Sequence, residues 1–168
     1  MTRRHPHRWL RHLACDARSV RRVFDAAALA RIEQAIATGE RAHRGQVRFA
    51  IEPALPLSRV IAGVTPRERA LEVFSLSRTW DTEENCGVLV YLLFADRDVE
   101  IVADRGIHAR VGDAAWETIC KAMEDAFRAG RFADGVESGI REINRLLIEH
   151  FPREQPGQNE LPDKPILL

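Results

Sequence analysis

The chain has 168 residues, 45% of them hydrophobic, which is enough for one domain with a real core and too few for two large ones. Charged residues make up 30% and are mixed along the chain without a sustained Ser, Gln or Gly tract, so disorder of the whole molecule is excluded. No apolar run approaches the roughly 20 residues that cross a bilayer as a helix.

The net charge of zero, 25 Lys+Arg against 25 Asp+Glu, is made of unequal parts. Residues 1–22 hold seven arginines against the single Asp16, a charge of +6, and residues 23–168 hold eighteen basic against twenty-four acidic residues, a charge of −6. Basic and aromatic residues interleave in His5-Pro6-His7-Arg8-Trp9-Leu10, a composition that binds nucleic acid, anionic membrane or an acidic partner through charge. A solvated, flexible arm is the simpler expectation, because all but two of the 25 basic residues (Lys121 and Lys164) are Arg, a bias that suggests codon usage. A secretory signal needs an apolar stretch of roughly 7–15 residues, and Trp9 to Asp16 is interrupted by charge, so a cytoplasmic protein is expected. Cys15, Cys86 and Cys120 are odd in number and widely spaced, which signals neither a disulfide framework nor a zinc site. His5, His7 and His12 could chelate a metal but have no orienting partners in an arm.

Asp25 can cap a helix carrying Leu29, Ile32 and Ile36 on one face, with Gly45 at its end. Gln46 to Ile51 alternates as a strand closed by Pro53 and Pro56. Thr65-Pro66-Arg67-Glu68 joins a capping box to a proline at the first helical position, with Leu71 and Phe74 continuing the apolar stripe toward Trp80. Val88 to Phe94 is an unbroken apolar run, too short for a buried helix and suited to a central strand covered on both faces. Asp96 to Asp98 reads as a turn and Val99 to Ala103 as an antiparallel return strand. A helix capped by Asp113 carries Trp116, Ile119, Met123 and Phe127, and a second, capped by Asp134, carries Ile140, Ile143 and Leu147. The expected organisation is a basic arm over 1–22, an α/β domain over 23–151 and an irregular, Pro-rich tail over 152–168. With one strand reaching the next through a helix, and a hairpin beyond it, the fold class is a three-layer α/β/α sandwich around a small mixed central sheet.

Asn85 before Gly87-Val88-Leu89-Val90-Tyr91-Leu92, then Asp96 through Ile107, then Phe127-Arg128-Ala129-Gly130-Arg131-Phe132 and Gly135 through Ile143, together resemble the TPM-domain family, which takes its name from a thylakoid lumen protein, a photosystem II repair protein and a modulator of levamisole-sensitive receptors. The resemblance runs from about Asp25 to Phe151 and looks like a smaller, soluble bacterial branch, without the secretion signal, C-terminal transmembrane helix and Gly-rich tail of the common bacterial pattern. It implies the same sandwich. It also implies a range of roles, since plant members are associated with acid phosphatase activity, some members bind calcium or another divalent ion, and many bacterial members have no established activity. The family's usual Asp-Asn-Gly appears here as Glu84-Asn85-Cys86-Gly87.

The hairpin should bring Glu83, Glu84 and Asn85 near Asp104, a set of oxygen ligands that suits calcium or magnesium. The alternative is that the glutamates are solvated, that Asn85 supports a turn and that Asp104 accepts backbone N–H groups. Arg105 and Gly106, near a helix start, are the candidate phosphate-binding residues, and Asp96 and Asp98 form a second carboxylate pair that turn chemistry explains. No activated nucleophile or phosphate-loop motif is present, so a hydrolase would use a metal-bound water. His108 reads as an exposed strand histidine rather than a general base. Two functions follow. The first is a non-catalytic accessory or interaction domain with a protein partner and a divalent cation; the second is a low-specificity, divalent-metal-dependent acid phosphatase.

Overall fold

In the computed structural model, which describes residues 7–154 and 159–168, the apolar run is the spine of the molecule. β1 (Gln46–Glu52) runs parallel to β2 (Gly87–Leu93), with Gln46 opposite Gly87 and Glu52 opposite Leu93; β3 (Asp98–Ala103) returns antiparallel on the other side of β2. Every residue of β2 is buried because alternate side chains feed two cores. Val88, Val90 and Leu92 join a large cluster with Val47, Phe49 and Ile51, whereas Leu89, Tyr91 and Leu93 join a smaller one with Ala50 and Val102. A strand buried on both faces needs helices on both.

The large core lies under α3 (Ala26–Glu40), α6 (Arg105–Val111), α7 (Asp113–Arg128) and α8 (Phe132–His150), which contribute Ile32, Ile36, Ile107, Met123, Phe127 and Ile140. The smaller core lies under α5 (Pro66–Leu76) and the segment before it, through Leu55, Ala70 and Val73. This is the expected three-layer α/β/α sandwich. Its helix starts follow local chemistry. Asp25 accepts the Ala28 N–H at 2.7 Å, and Thr65 and Glu68 close a reciprocal capping box ahead of Pro66.

Several elements differ from the expectation. The leader is not a solvated arm over its described part: α1 (Arg8–Ala14) docks on the body through Arg8, Arg11 and His12, and α2 (Ala17–Val23) buries Val20, next to Phe24. Its arginine content hid two helices that each have an inward face. Arg3, Arg4 and His5 lie outside the described residues. The Pro-rich tail ends in β4 (Ile166–Leu167), parallel to β1, which gives a four-stranded sheet in the order β3-β2-β1-β4; a two-residue strand has no periodicity to read. A short helix, α4 (Leu57–Ile61), stands in the loop after β1. α3 stops at Glu40 rather than Gly45, because the N–H groups of Ala42 and His43 both turn back to the Gly39 carbonyl. The residue after β3 caps a helix, so His108 belongs to α6 and not to a strand. On α5, Ala70 and Val73 face inward while Leu71 is 48% exposed, and α8 begins at Phe132, before Asp134. Among the described residues no helix is long and apolar enough to cross a membrane.

Candidate functional site

β2 begins and β3 ends at one edge of the sheet, with Val88 opposite Ala103, so the loop before β2 meets the start of α6. The Asp104 N–H donates to the Gly87 carbonyl at 2.8 Å and the Gly106 N–H to the Asn85 carbonyl at 3.1 Å. Asn85 takes a φ of 52°, the left-handed region that Asn tolerates better than most residues. Glycine is required at 106 by close approach, since a Cβ there would lie 2.6 Å from the Asn85 oxygen and 3.0 Å from the Glu84 oxygen. The backbone thus brings Glu84, Asn85, Asp104 and Gly106 to one corner.

The side chains divide differently. Asp104 is 8% exposed; its Oδ1 accepts the Arg105 N–H at 2.7 Å, and its Oδ2 is buried without a hydrogen-bond partner among the described residues. Leaving such an oxygen unpaired costs about 1–3 kcal/mol, so it marks a position where a further group would be favourable. The Glu84 carboxylate turns away to Arg44, at 2.7 Å, and the exposed Glu83 is held through its N–H, which donates to the Glu160 carboxylate at 2.9 Å. Among the described residues no three or more of His, Cys, Asp and Glu form a metal-holding group. What the corner offers among the described residues is one unpaired carboxylate oxygen, Asp104 Oδ2, with the Glu84 carbonyl oxygen beside Gly106, and oxygens of these kinds are ligands that suit a hard cation.

At Arg105 and Gly106 the backbone donors are engaged. The Arg105 N–H goes to Asp104 Oδ1, the Gly106 N–H to Asn85 and the His108 N–H to the Asp104 carbonyl. Of the groups at these two residues, the exposed Arg105 guanidinium is the one left for a phosphate. At the start of α7 the first-turn acid Asp113, with His108 Nε2 at 3.6 Å, stands where an anion would bind.

Other ionisable groups sit in surroundings that their local sequence does not display: the Asp96 and Asp98 pair is more than a turn, and Glu40, Glu124 and two cysteines are packed against strands. Asp96 takes Arg8, Arg11 and His12 on its two oxygens. Asp98 has a buried Oδ1 without a partner among the described residues, and burial, with the charges of Glu100 and Glu124, lifts its pKa to about 7. Glu124 and Cys120 of α7 face the backbone of Val99 and Ile101, covering the free edge of β3. Burial raises the Cys120 thiol to about 12 and the Cys86 thiol to about 11, which makes both poor nucleophiles. Glu40, 7% exposed, is lifted to about 8 by burial. The local sequence names Asp96 and Asp98 but not their surroundings, because those depend on helices that arrive from elsewhere in the chain.

The fold has a counterpart among solved structures. The NMR structure of the BA42 protein from the psychrophilic bacterium Bizionia argentinensis is similar, with 27% identity, a TM-score of 0.75, and coverage of 84% of this chain and 93% of that one. No curated protein matches the chain. The model of the TPM domain matches residues 20–146, a span that starts within α2, contains β1 to β3 and includes every residue of the corner. The chain belongs to the TPM-domain family.

Proposed function

We propose that this protein is a non-catalytic accessory domain that works by contact with a protein partner and holds a divalent cation, calcium or magnesium, at the corner of Glu84, Asn85 and Asp104. The observation that carries the reading is the buried Asp104 Oδ2, which has no partner among the described residues. A hard cation would take that oxygen with the Asn85 amide oxygen and the Glu84 carbonyl, while the Glu84 side chain stays on Arg44. The engaged amides at the start of α6 and the raised thiols support a binding role over a catalytic one. Calorimetry with calcium and with magnesium tests it. The chain should give heat with a Kd of about 10⁻⁴–10⁻³ M, set by the single free carboxylate, and Asp104→Asn should abolish it. No heat from either protein retires the site.

A second reading, a low-specificity metal-dependent phosphatase, is favoured by the phosphatases named among the family's members and by the exposed Arg105 next to Asp104. Hydrolysis of a generic aryl phosphate from acid to neutral pH, with magnesium, calcium or chelator, separates the two. Turnover that survives purification and falls at least tenfold in both Asp104→Asn and Arg105→Ala would replace the accessory role with catalysis.

A further inference from the structure

α1 is built inside out. Arg8, Arg11 and His12, spaced to share one helix face, turn toward the body. Arg8 Nε meets Asp96 Oδ2 at 2.8 Å and its Nη1 donates to the Val64 carbonyl at 3.0 Å; Arg11 reaches Asp96 at 3.2 Å; His12 is 4% exposed. The opposite face carries Trp9, Leu10 and Leu13, which are 46%, 44% and 58% exposed. α1 packs on α4, where Ile61 is 81% exposed. An ordinary surface helix turns its apolar stripe inward, as α2 does with Val20 buried and Arg18, Arg21 and Arg22 exposed. The two helices together show solvent an apolar trio and an arginine trio, on a leader of +6.

We propose that this leader docks on an anionic lipid bilayer, with Trp9, Leu10 and Leu13 entering the boundary between headgroups and acyl chains and Arg18, Arg21 and Arg22 pairing with lipid phosphates. The charge selects an anionic surface and the apolar trio selects a bilayer among such surfaces. Nucleic acid rewards arginine and can stack a tryptophan, but it gains nothing from Leu10, Leu13 and Ile61, whereas a bilayer interface takes aliphatic, indole and guanidinium groups together. Neither signal is enough for stable binding alone, and the leader carries both. The ion pairs of Arg8 and Arg11 with Asp96 hold α1 with its apolar face outward. The leader is remote from the cation corner in sequence and shares no residue with it, so docking does not depend on a bound cation.

The test is co-sedimentation of the full chain with vesicles of phosphatidylcholine alone and of equimolar phosphatidylcholine and phosphatidylglycerol, with tryptophan emission followed in the same samples. Binding to the anionic vesicles only, weakened by salt and accompanied by a blue shift, is expected. Replacing the apolar trio (Trp9→Ala, Leu10→Ser, Leu13→Ser) should weaken binding at least tenfold with an unchanged circular dichroism spectrum, since all three side chains are exposed. Arg18→Gln, Arg21→Gln and Arg22→Gln together should weaken it as much, which keeps the test valid if the first variant does not fold. Absence of binding to anionic vesicles overturns the proposal, as does binding that neither variant changes. Duplex DNA or RNA binding without vesicle binding would assign the leader to nucleic acid, and a dimer in sedimentation equilibrium that the apolar variant abolishes, again without vesicle binding, would assign the face to a second copy of the chain.

Discussion

The backbone N–H of Leu55 donates to His12 Nδ1 at 2.9 Å, which leaves Nε2 as the protonated ring nitrogen, 3.2 Å from Asp96 Oδ1. The two partners select one tautomer of the neutral imidazole, and burial holds the His12 pKa below its ordinary 6.5 against the opposing pull of Asp96. Because the unfolded or undocked chain takes up the proton first, this contact is fully stabilising above 6.5 and is lost as the pH falls below it. A proton on Nδ1 would set donor against donor at Leu55. Acidification should therefore release α1 before the body unfolds, seen as a loss of hydrogen-exchange protection at the Leu55 amide. His12→Ala should cost about 1–3 kcal/mol by leaving that amide buried and unpaired, and should abolish the acid step. An acid step of unchanged size in His12→Ala would show that another group controls the docking.

A second protonation event lies at the other end of the chain. Glu40 Oε1 accepts the Val47 N–H at 2.7 Å, while Oε2 finds no donor among the described residues and faces the Asp163 carboxylate, so those two side chains are bonded only when one holds a proton. Burial first, and Asp163 next, raise Glu40 to about 8, against the Val47 N–H and Arg153. The folded state keeps the proton that the unfolded chain loses near 4.5, so stability declines as pH rises from there, and the contact itself is lost through about 8. Protection of the Leu168 amide, which bonds the Ile51 carbonyl at 2.9 Å, should fall above that pH as β4 loosens. Glu40→Gln keeps the acceptor for Val47 and supplies an N–H for Asp163, and its Leu168 protection factor should not change with pH. A drop that persists in Glu40→Gln would place the titration elsewhere.

These two contacts show what a sequence displays and what it does not. The start of α5 is legible because Thr65, Pro66 and Glu68 carry the cap within four residues, and β2 is legible because its side chains need both faces covered. The hairpin logic also places Asn85 and Asp104 at one corner. The orientation of Glu84 is not legible, because it depends on Arg44, forty residues away. The leader fails for the same reason at longer range: Arg8 and His12 are inward-facing only because Asp96 lies 88 and 84 positions later. An arginine-rich helix without that partner would turn the other way.

Asp98 carries a prediction of opposite use to a salt bridge. Burial, then Glu100 and Glu124, raise it to about 7 from 3.8, so the folded state favours the neutral acid and loses stability as pH climbs from about 4 to 7. Asp98→Asn removes that penalty. At pH 8 the variant should be more stable than the parent by about 1–3 kcal/mol in urea unfolding, and at pH 4 the two should agree. Equal stability at both pH values would mean that Asp98 is ionised and solvated in the folded protein.

Gly106 tests the corner without touching a charge. An alanine Cβ would meet the Asn85 oxygen at 2.6 Å and the Glu84 oxygen at 3.0 Å, and both are backbone atoms that move only with the loop into β2. The same displacement breaks the 3.1 Å bond from the Gly106 N–H to Asn85. Gly106→Ala should therefore cost about 1–3 kcal/mol in unfolding free energy and weaken calcium binding at least tenfold, although every carboxylate is intact. Arg105→Ala, one residue earlier and exposed, should stay within about 0.5 kcal/mol of the parent and keep its calcium heat. The pair of variants separates the arrangement of the two loops from their charge. If Gly106→Ala binds calcium as the parent does, the cation is held outside the corner, and Asp104 Oδ2 is unpaired for a reason of packing alone.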